Sequence, residues 1–591
     1  MKKLVGITVG WLMAFLLLGI SPLWAQEEAG NYFTITGVVK NKDNKRKLEN
    51  VNVSVPGTNI GTVTNADGVF SLKIKDTETI QGLEVSHIGY LNSQVSLKEN
   101  KDISDLTIWM LSAPNLLSEI VIFGNNARVL VEEAIKKILK DVKAEKLTPY
   151  VDKVSDEPLM KEAPKGGKII SEQKDDVFGT TMLTLSNGVK VIIKKTDFKA
   201  DEITMKGVSL GGSSLFPNSE IININGLDAV SAGGLGNFSA VDLEKVLAGK
   251  RASVSYGIGD KTETVNGYCS PKDFETMMQL TYLTFTAPRR DDEAFASYKN
   301  RNKAALLNQE MNPNVAFSDS ITFALQMGHP RTIRMKADMI DNMDYNKILA
   351  MYQDRYKDAS DFTFILVGNV DVESMKPLIA EYLGALPAIN RKESFKDNKI
   401  EYRKGVYKNE FVREQETAKA SNFVSFIGTC KYDLKNSILQ DMTCQIMDLV
   451  YTEKVREDEG GTYGVYVGGN LSKYPKEIAG IQIVFDTAPS KREKLMKIIF
   501  AEIERISKEG PSEANLNKVK EFMLKKHAED LKENSYWMES IDEYLFTGMN
   551  PIKDYEQTVN SITAKDIQKF ADDLFKQKNE VEVSMISPDK E

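Results

Sequence analysis

Residues 33–112 alternate between apolar and polar side chains in short runs. The segments Val51–Val55 (VNVSV) and Val69–Ile74 (VFSLKI) place every second side chain on one face, as half-buried strands do. Between them, Asn65–Gly68 (NADG) is a strong turn signal, and further glycines separate the neighbouring runs. About seven short strands fit into this length, which predicts a small all-β sandwich.

Further along the chain, strands alternate with long helices in two rounds. The first round opens with a hairpin, LTLSNGVKVII, whose turn is Asn187–Gly188. Both rounds end with an amphipathic helix and then a β-rich strand, beginning at Asn346 and at Lys565. We therefore predict an α+β fold with two α+β units related by duplication, one at 179–390 and the other at 391–591.

The closing segments of the two rounds match residue by residue. Aligned on one another, they pair side chains of like character: Ile348 with Ile567, Tyr356 with Phe575, and Phe364 with Val583. Each unit has about 200 residues, which is long enough to bury its own hydrophobic core. A duplication explains both the repeated order and the matching apolar positions.

Residues 1–25 differ in character from the rest of the chain. Two lysines precede an apolar run, Leu4–Ile20, and Ala25 ends the segment. This order is typical of an export signal peptide, and an uncleaved membrane anchor is the alternative because the run approaches spanning length. No second run of that kind follows, so we expect no membrane span after signal removal. Residues 113–178 are predicted to be a connector, with a helix at Ala127–Val142 followed by an extended linker.

Charge and cysteine content exclude several classes of protein. The chain has 591 residues and a net charge of −8. Nucleic acids and anionic membranes require clustered positive charge, so neither is expected to be the main partner. Cys269, Cys430 and Cys444 are too few and too widely spaced for a disulfide framework or a zinc ribbon. Either Cys430 and Cys444 form one bridge, or all three are isolated thiols.

The first of two family resemblances lies within residues 33–112. The strings ITGVVKN, LENVNVSVPGTNIGTVTNADGVFSLKI and LEVSHIGY resemble the carboxypeptidase regulatory-like, transthyretin-type module of Gram-negative envelope proteins. The resemblance implies a binding or spacer module. Together with the export signal, it implies a location in the periplasm or at the outer membrane of a Gram-negative bacterium.

Three later segments resemble the pitrilysin or insulinase family of zinc peptidases, which includes the mitochondrial processing peptidases: Leu185–Ser214, Gly234–Lys250 and Val455–Val467 (VREDEGGTYGVYV). The resemblance extends from Asp176 to the end of the sequence. It implies two homologous halves that close as a clamshell around a chamber. One half carries zinc on an H-x-x-E-H helix, and the other is metal-free and contacts substrate. This chain most resembles the metal-free half.

The zinc motif of that family is absent from this sequence. Zinc-activated water needs three protein ligands and a carboxylate base, usually from two histidines four residues apart with a glutamate beside them. None of the histidines, His87, His329 and His527, has such a partner. The segment Ile221–Gly234, where the family's zinc helix would lie, holds no His or Glu. We therefore expect no catalytic residue, metal or cofactor in this chain, and zinc in a partner subunit.

A zinc site built from His329, His527 and a distant carboxylate is the alternative. The structural interpretation of the same residues is simpler. It places His329 in a loop before Pro330, and it places His527 on the surface of a helix.

Arg456 and Tyr463 are the candidate substrate-binding residues. Ser437–Glu457 has the pattern of an amphipathic helix, Gly460–Gly461 ends it, and a strand follows. An arginine can donate two hydrogen bonds to peptide carbonyls, and a tyrosine hydroxyl can donate one to a developing oxyanion. The resembled family has an Arg and a Tyr at this separation, which implies these roles for Arg456 and Tyr463. The alternative is structural, with Arg456 favouring the helix C-terminus through its dipole and Tyr463 an ordinary strand aromatic.

These observations lead to two hypotheses. The first is an exported, non-catalytic subunit of a pitrilysin-type zinc peptidase, which binds peptide substrate and completes the chamber of an H-x-x-E-H partner. The second is a catalytically inert envelope scaffold or peptide-binding protein, attached to its assembly by the β-sandwich. The presence of both Arg456 and Tyr463 favours the first hypothesis, because a scaffold needs neither.

Overall fold

The computed structural model describes residues 32–111, apart from 43, 57, 59, 66, 76–81, 88–89, 98–100 and 102, and residues 157–588, apart from 416, 458, 461 and 463. The predicted signal segment and the helix predicted at Ala127–Val142 lie outside the described residues. The chain divides into two compact units, Met1–Tyr150 and Val151–Glu591. No helix within the described ranges has the length and apolar content needed to span a membrane.

The N-terminal unit is the predicted β-sandwich. Its strands are β1 (Tyr32–Asn41), β2 (Asn52–Ser54), β3 (Gly61–Val63), β4 (Val69–Lys75), β5 (Gly82–Ser86), β6 (Ser93–Ser96) and β7 (Ile103–Met110). They form one sheet of order β4-β1-β7 and another of order β3-β2-β5-β6. Alternate side chains such as Ile35, Val53 and Val85 are fully buried between them, which is the burial that the period-two pattern predicted.

The C-terminal unit contains two sheets. The first sheet is formed by β8 (Ile169–Asp175), β9 (Thr180–Leu185), β10 (Lys190–Lys195), β11 (Ile203–Leu210), β12 (Ala252–Ile258), β13 (Thr262–Cys269) and β14 (Thr363–Gly368). Its order is β12-β13-β11-β14-β10-β9-β8. β14 is parallel to β10 and antiparallel to β11. The predicted turn at Asn187–Gly188 joins β9 and β10, and Gly188 takes a φ of 92° that favours glycine.

The second sheet repeats that topology. Its strands are β15 (Val406–Val412), β16 (Ala420–Thr429), β17 (Val465–Ser472), β18 (Ile478–Thr487) and β19 (Glu580–Ile586), in the order β15-β19-β16-β18-β17. β19 is parallel to β15 and antiparallel to β16, as β14 is to β10 and β11. Five strands of each sheet therefore take equivalent places, which confirms the predicted α+β fold with a tandem repeat.

The helices of the first repeat are α1 (Ile221–Ile224), α2 (Ala240–Val246), α3 (Phe274–Thr286), α4 (Asp292–Glu310), α5 (Pro313–Gln326), α6 (Tyr345–Tyr356) and α7 (Val372–Tyr382). Those of the second repeat are α8 (Leu434–Tyr451), α9 (Arg492–Glu509), α10 (Glu513–Asp530), α11 (Asn534–Thr547), α12 (Tyr555–Ser561) and α13 (Ala564–Phe575). Most of them pack on one face of their own sheet. α8 occupies the same place in the second repeat as the segment with α1 and α2 does in the first.

One helix of each repeat packs against the sheet of the other repeat. Helix α5 of the first repeat packs Phe317 and Ala324 against Phe423 and Val583 of the second sheet. Helix α11 of the second repeat packs against Ile192, Ile365 and Val367 of the first sheet; its contacting side chains are Trp537, Met538 and Ile541. Each repeat has a large core built from its own residues, and the exchanged helices add two smaller clusters on the other face of each sheet.

Polar contacts reinforce the seam between α11 and the first sheet. Lys206 Nζ lies 2.6 Å from Asp542 Oδ2, and Thr196 Oγ1 donates a 2.6 Å hydrogen bond to Asn534. Lys194 Nζ lies 3.8 Å from the centre of the Trp537 ring. A cation over a tryptophan face is attracted by the ring quadrupole. These contacts fix the register of α11 on the sheet.

Glu263 is an ionisable group buried in the first repeat. It is 1% exposed, and its Oε2 accepts a 2.6 Å hydrogen bond from the Gly212 N–H. Burial raises the pKa of Glu263 to about 7, because the surrounding protein disfavours the charged carboxylate more than Gly212 and Arg355 favour it. The folded state therefore binds a proton more tightly at this position than the unfolded chain does.

We expect this carboxyl to make the protein less stable as pH rises from about 4.5 to about 7, the interval between its unfolded and folded pKa values. The stabilisation is fully present below the unfolded pKa and is lost as pH passes through the folded one. Its size is about 3 kcal/mol. The free energy of unfolding, measured in urea, should therefore differ less between pH 5 and pH 8 in Glu263→Gln than in the wild type. Glu521→Gln, which changes an exposed carboxylate, should show the wild-type difference. An unchanged difference in Glu263→Gln would show that Glu263 is ionised throughout.

Candidate functional site

Arg456 lies on a π-helical turn that extends α8. Helix α8 ends at Tyr451, and Thr452–Glu457 continue it with the wider π-helical hydrogen-bond pattern. The prediction of a helix that runs as far as Arg456 is therefore confirmed, although its last turn is not α-helical. Single π-helical turns are frequent at functional sites. The Arg456 side chain is exposed, and it makes no hydrogen bond or ion pair with the part of the chain that the structure describes.

The backbone beneath Arg456 is firmly held. Val455 is fully buried, and the buried Tyr451 hydroxyl donates a 3.1 Å hydrogen bond to the Ile499 carbonyl on α9. Lys454 Nζ lies 2.8 Å from Glu502, a carboxylate that is only 1% exposed and that Arg505 also contacts. Two cations on one buried carboxylate satisfy its hydrogen-bonding capacity and anchor the turn to α9. Arg456 therefore combines a rigid base with an unrestrained guanidinium group.

The chain then passes from the π-helical turn to β17. Lys491 Nζ donates hydrogen bonds to the carbonyls of Glu459 (3.3 Å) and Gly460 (3.1 Å), and Gly460 has a φ of 53°. The π-helical turn and β17 are in contact, and along the chain Arg456 shortly precedes Val465, where that strand begins. Tyr463, the second predicted substrate-binding residue, lies outside the described residues. Its role stays a prediction.

β17 is an edge strand of the second sheet. Among the described strands it pairs only with β18, so one row of its backbone N–H and C=O groups has no strand beside it. Gly468 and Gly469 lie in the middle of the strand. A Cβ at Gly469 would meet Gln440 Nε2 at 2.5 Å and Cys444 Sγ at 2.8 Å, so glycine is required for α8 to pack this closely.

A cavity of about 750 Å³ lies beside this strand, between α8, β17 and α10. Its walls include Asp441 and Asp448 from α8, Gly469 from β17, and Phe522 from α10. No local pattern in the sequence predicted this cavity. The available signal was the pair of aspartates seven residues apart on one helix, but only the folded chain brings α10 to the opposite side.

The three cysteines are free thiols, which agrees with the second alternative given by the sequence and not with a Cys430–Cys444 bridge. Cys269 and Cys444 are buried and Cys430 is half-buried. Burial raises the pKa of Cys269 and of Cys444 to about 12 and that of Cys430 to about 11. None of them is a reactive thiolate at neutral pH.

Comparison with known proteins finds relatives among zinc proteases. The "Zinc protease PQQL-like" of Arabidopsis thaliana is 26% identical over 415 residues, which cover 67% of this chain and 40% of the relative. The periplasmic protease PqqL of Escherichia coli superposes with a TM-score of 0.64 at 18% identity, covering 82% of this chain and 52% of PqqL. The first half of PqqL, solved separately, gives a TM-score of 0.56 at 13% identity, covering 70% of this chain and 93% of that half. At these identities the two superpositions show the fold.

Sequence profiles of two families also match. The profile of the Peptidase M16 inactive domain matches residues 342–523, and that of the CarboxypepD_reg-like domain matches residues 35–122. The chain is therefore similar to M16 peptidases in its C-terminal part and to carboxypeptidase regulatory-like domains near its N-terminus. The M16-like chain spans about half or less of the length of the whole proteases it matches, 52% of PqqL and 40% of the plant relative.

Two histidines of the M16-like chain do not fit a zinc site. His527 is 5% exposed, lies with Nδ1 2.9 Å from the Tyr536 hydroxyl, and stacks on Tyr555 at 4.2 Å. Its placement on a helix surface was wrong, because α12 carries Tyr555 over that face of α10. His329 Nδ1 accepts from the Arg331 N–H, and its Nε2 lies 3.2 Å from the Asn398 carbonyl. Within the described ranges no three His, Cys, Asp or Glu side chains are grouped as metal ligands.

Proposed function

We propose that this chain is a non-catalytic, metal-free subunit of a pitrilysin-type zinc peptidase, in which it binds peptide substrate and completes the chamber of a partner subunit. One observation carries the proposal. The chain covers 93% of the separately solved first half of PqqL and 52% of whole PqqL, so the part that superposes has the fold of one half of that protease. A half of this kind needs a second half to enclose a substrate.

The edge strand β17 is the proposed peptide-binding element. An extended peptide gains affinity by pairing its main chain with an exposed strand edge, and the pockets beside the strand select its side chains. Along the chain Arg456 shortly precedes β17, and its turn is anchored to α9. Its guanidinium would donate two parallel hydrogen bonds to peptide carbonyls, which fixes the register of the peptide.

The partner is proposed to carry the H-x-x-E-H helix and the zinc. Zinc bound there would activate water and polarise the scissile carbonyl. From this chain, Tyr463 would donate a hydrogen bond to the developing oxyanion while Arg456 holds the peptide. The signal-like segment 1–25, and the description of PqqL as periplasmic, support export to the periplasm or the outer membrane.

Copurification tests this proposal. The full chain, tagged at its C-terminus and isolated from the envelope of its native host, should bring down a protein that contains H-x-x-E-H. A deletion of residues 33–111, which keeps the predicted signal segment 1–25, should retain that partner, because the proposed subunit contact belongs to the C-terminal unit. Recovery of envelope proteins without any H-x-x-E-H protein would reject the subunit and favour the inert scaffold.

A further inference from the structure

Four strands form the outer edges of the two sheets in the C-terminal unit. They are β8 and β12 in the first sheet and β15 and β17 in the second. An unpaired edge invites other chains to pair with it, so native proteins protect such edges with charged side chains, prolines or bulges. β8 carries several charged side chains and has a bulge between Ile169 and Ser171. β15 carries Lys408 and Glu410, so it too is protected.

β12 has none of these protections. Its sequence, ASVSYGI, contains no charged residue and no proline, and its register with β13 is regular from Ala252 to Ile258. β17, with the sequence VYVGGNLS, is uncharged as well. β12 takes the place in the first sheet that β17 takes in the second. The two equivalent edges of the repeated fold are therefore the ones left open to pairing.

The outward row of backbone groups on β12 is unbonded within the described residues. The Gly259 N–H donates to the Thr262 carbonyl, and the register continues this pairing at every second residue, so the odd-numbered positions of β12 face β13. The even-numbered positions direct their N–H and C=O groups away from the sheet: Ala252, Val254, Tyr256 and Ile258. No backbone hydrogen bond from elsewhere in the described chain reaches them. A strand of seven residues therefore offers a continuous row of donors and acceptors.

The two faces of β12 differ in chemistry. Val254 and Tyr256 are partly buried and pack against the core of the first repeat. Ser253 and Ser255 are exposed on the opposite face. Cross-strand pairs are favourable when a β-branched side chain lies beside an aromatic one and when a hydroxyl lies beside a hydroxyl. The strand that fits this edge best therefore alternates β-branched apolar residues with hydroxyl residues.

We propose that β12 is a second peptide-binding edge, which pairs in antiparallel orientation with an uncharged, extended segment that alternates β-branched apolar and hydroxyl residues. Antiparallel pairs are slightly more stable per residue than parallel ones. In this arrangement the apolar residues of the segment lie opposite Val254 and Tyr256 and direct their own N–H groups to β12. The inference goes beyond the proposed function, because it requires neither Arg456 nor a partner subunit.

Two isomeric peptides test this pairing on the purified full chain. Both are fluorescein-labelled and alternate valine with threonine, but one is N-methylated on its valines and the other on its threonines. Methylation of the valines removes the N–H groups that face β12, whereas the threonine N–H groups face solvent. In fluorescence anisotropy, the methyl-threonine peptide should bind like the unmethylated one. The methyl-valine peptide should bind at least about tenfold more weakly, because it loses several hydrogen bonds of modest individual strength.

Hydrogen exchange measured by mass spectrometry locates the contact. The unmethylated peptide should slow exchange in β12. Val254→Pro removes a central outward N–H without breaking a bond to β13, so it should abolish that protection. Val412→Pro is the matched control: it makes the same change on β15, where Val412 is 67% exposed and its N–H also points away from the sheet. This variant should keep the protection of β12.

Several outcomes would overturn this inference. Equal binding of the two isomers, or weaker binding of the methyl-threonine peptide, would exclude antiparallel pairing on β12. Protection confined to β17 would also overturn it and would leave the proposed function intact. Slow exchange in β12 without peptide, in a chain that sediments as a dimer, would show that a second copy occupies the edge instead. The isomer and exchange measurements use the wild-type chain, so they decide the matter even if Val254→Pro fails to fold.

Discussion

Replacing Arg456 by alanine should lower kcat/KM of the complete two-subunit peptidase by about 100-fold, with no change in Tm. Hydrogen bonds from a charged donor contribute about 1.5–3 kcal/mol, which corresponds to roughly 10–150-fold in kcat/KM. The folded chain should tolerate the change, because Arg456 is exposed and makes no hydrogen bond or ion pair with the described residues. Steady-state kinetics and thermal unfolding of the same preparations measure both effects.

Two variants sharpen this expectation. Arg456→Lys keeps the charge but loses the planar fork, so its rate should fall between those of wild type and Arg456→Ala. Arg413→Ala removes an exposed arginine just after β15, at the opposite edge of the same sheet, and should leave kcat/KM unchanged. A wild-type rate in Arg456→Ala would mean that Arg456 does not bind substrate and has only a structural role at the helix end.

Replacing Ile541 by alanine should destabilise the C-terminal unit by about 2–5 kcal/mol. Ile541 is 1% exposed and lies among Phe178, Ile192, Ile365 and Val367 of the first repeat, although its own helix belongs to the second. The cavity left by its side chain would therefore weaken both repeats at once. Urea unfolding should show a single transition for the C-terminal unit at a lower midpoint.

Leu545 provides the matched control on the same helix. It is 42% exposed, so Leu545→Ala should change the free energy of unfolding by less than about 0.5 kcal/mol. If Ile541→Ala leaves the unfolding of the first sheet unchanged, the two repeats unfold independently of each other. In that case the exchange of α5 and α11 would contribute little to stability.

The repeated fold could be predicted from the sequence because its signals are local. Ile348 and Ile567 were aligned on hydrophobic period alone, and both are fully buried on equivalent helices. Phe364 and Val583 are likewise fully buried on β14 and β19. The spacing of hydrophobic residues indicates which side of a helix or strand faces a core. A duplicated core therefore gives the same hydrophobic spacing twice in the sequence.

Features that depend on distant segments could not be predicted. The burial of His527 is due to Tyr555, and the cavity beside β17 requires α10 to lie opposite α8. The exchange of α5 and α11 gives no local signal either, since an amphipathic helix does not reveal which sheet it covers. At the candidate site, the sequence identified Arg456 but not the anchoring of its turn by Glu502 and Tyr451.

The most direct test of the central claim is a peptidase assay on three samples: this chain alone, its copurified H-x-x-E-H partner alone, and the two together. We predict that only the mixture cleaves peptide efficiently, that a zinc chelator abolishes the activity, and that the metal is found in the partner. Chelator-sensitive cleavage by this chain alone, or full activity of the partner without it, would contradict the account.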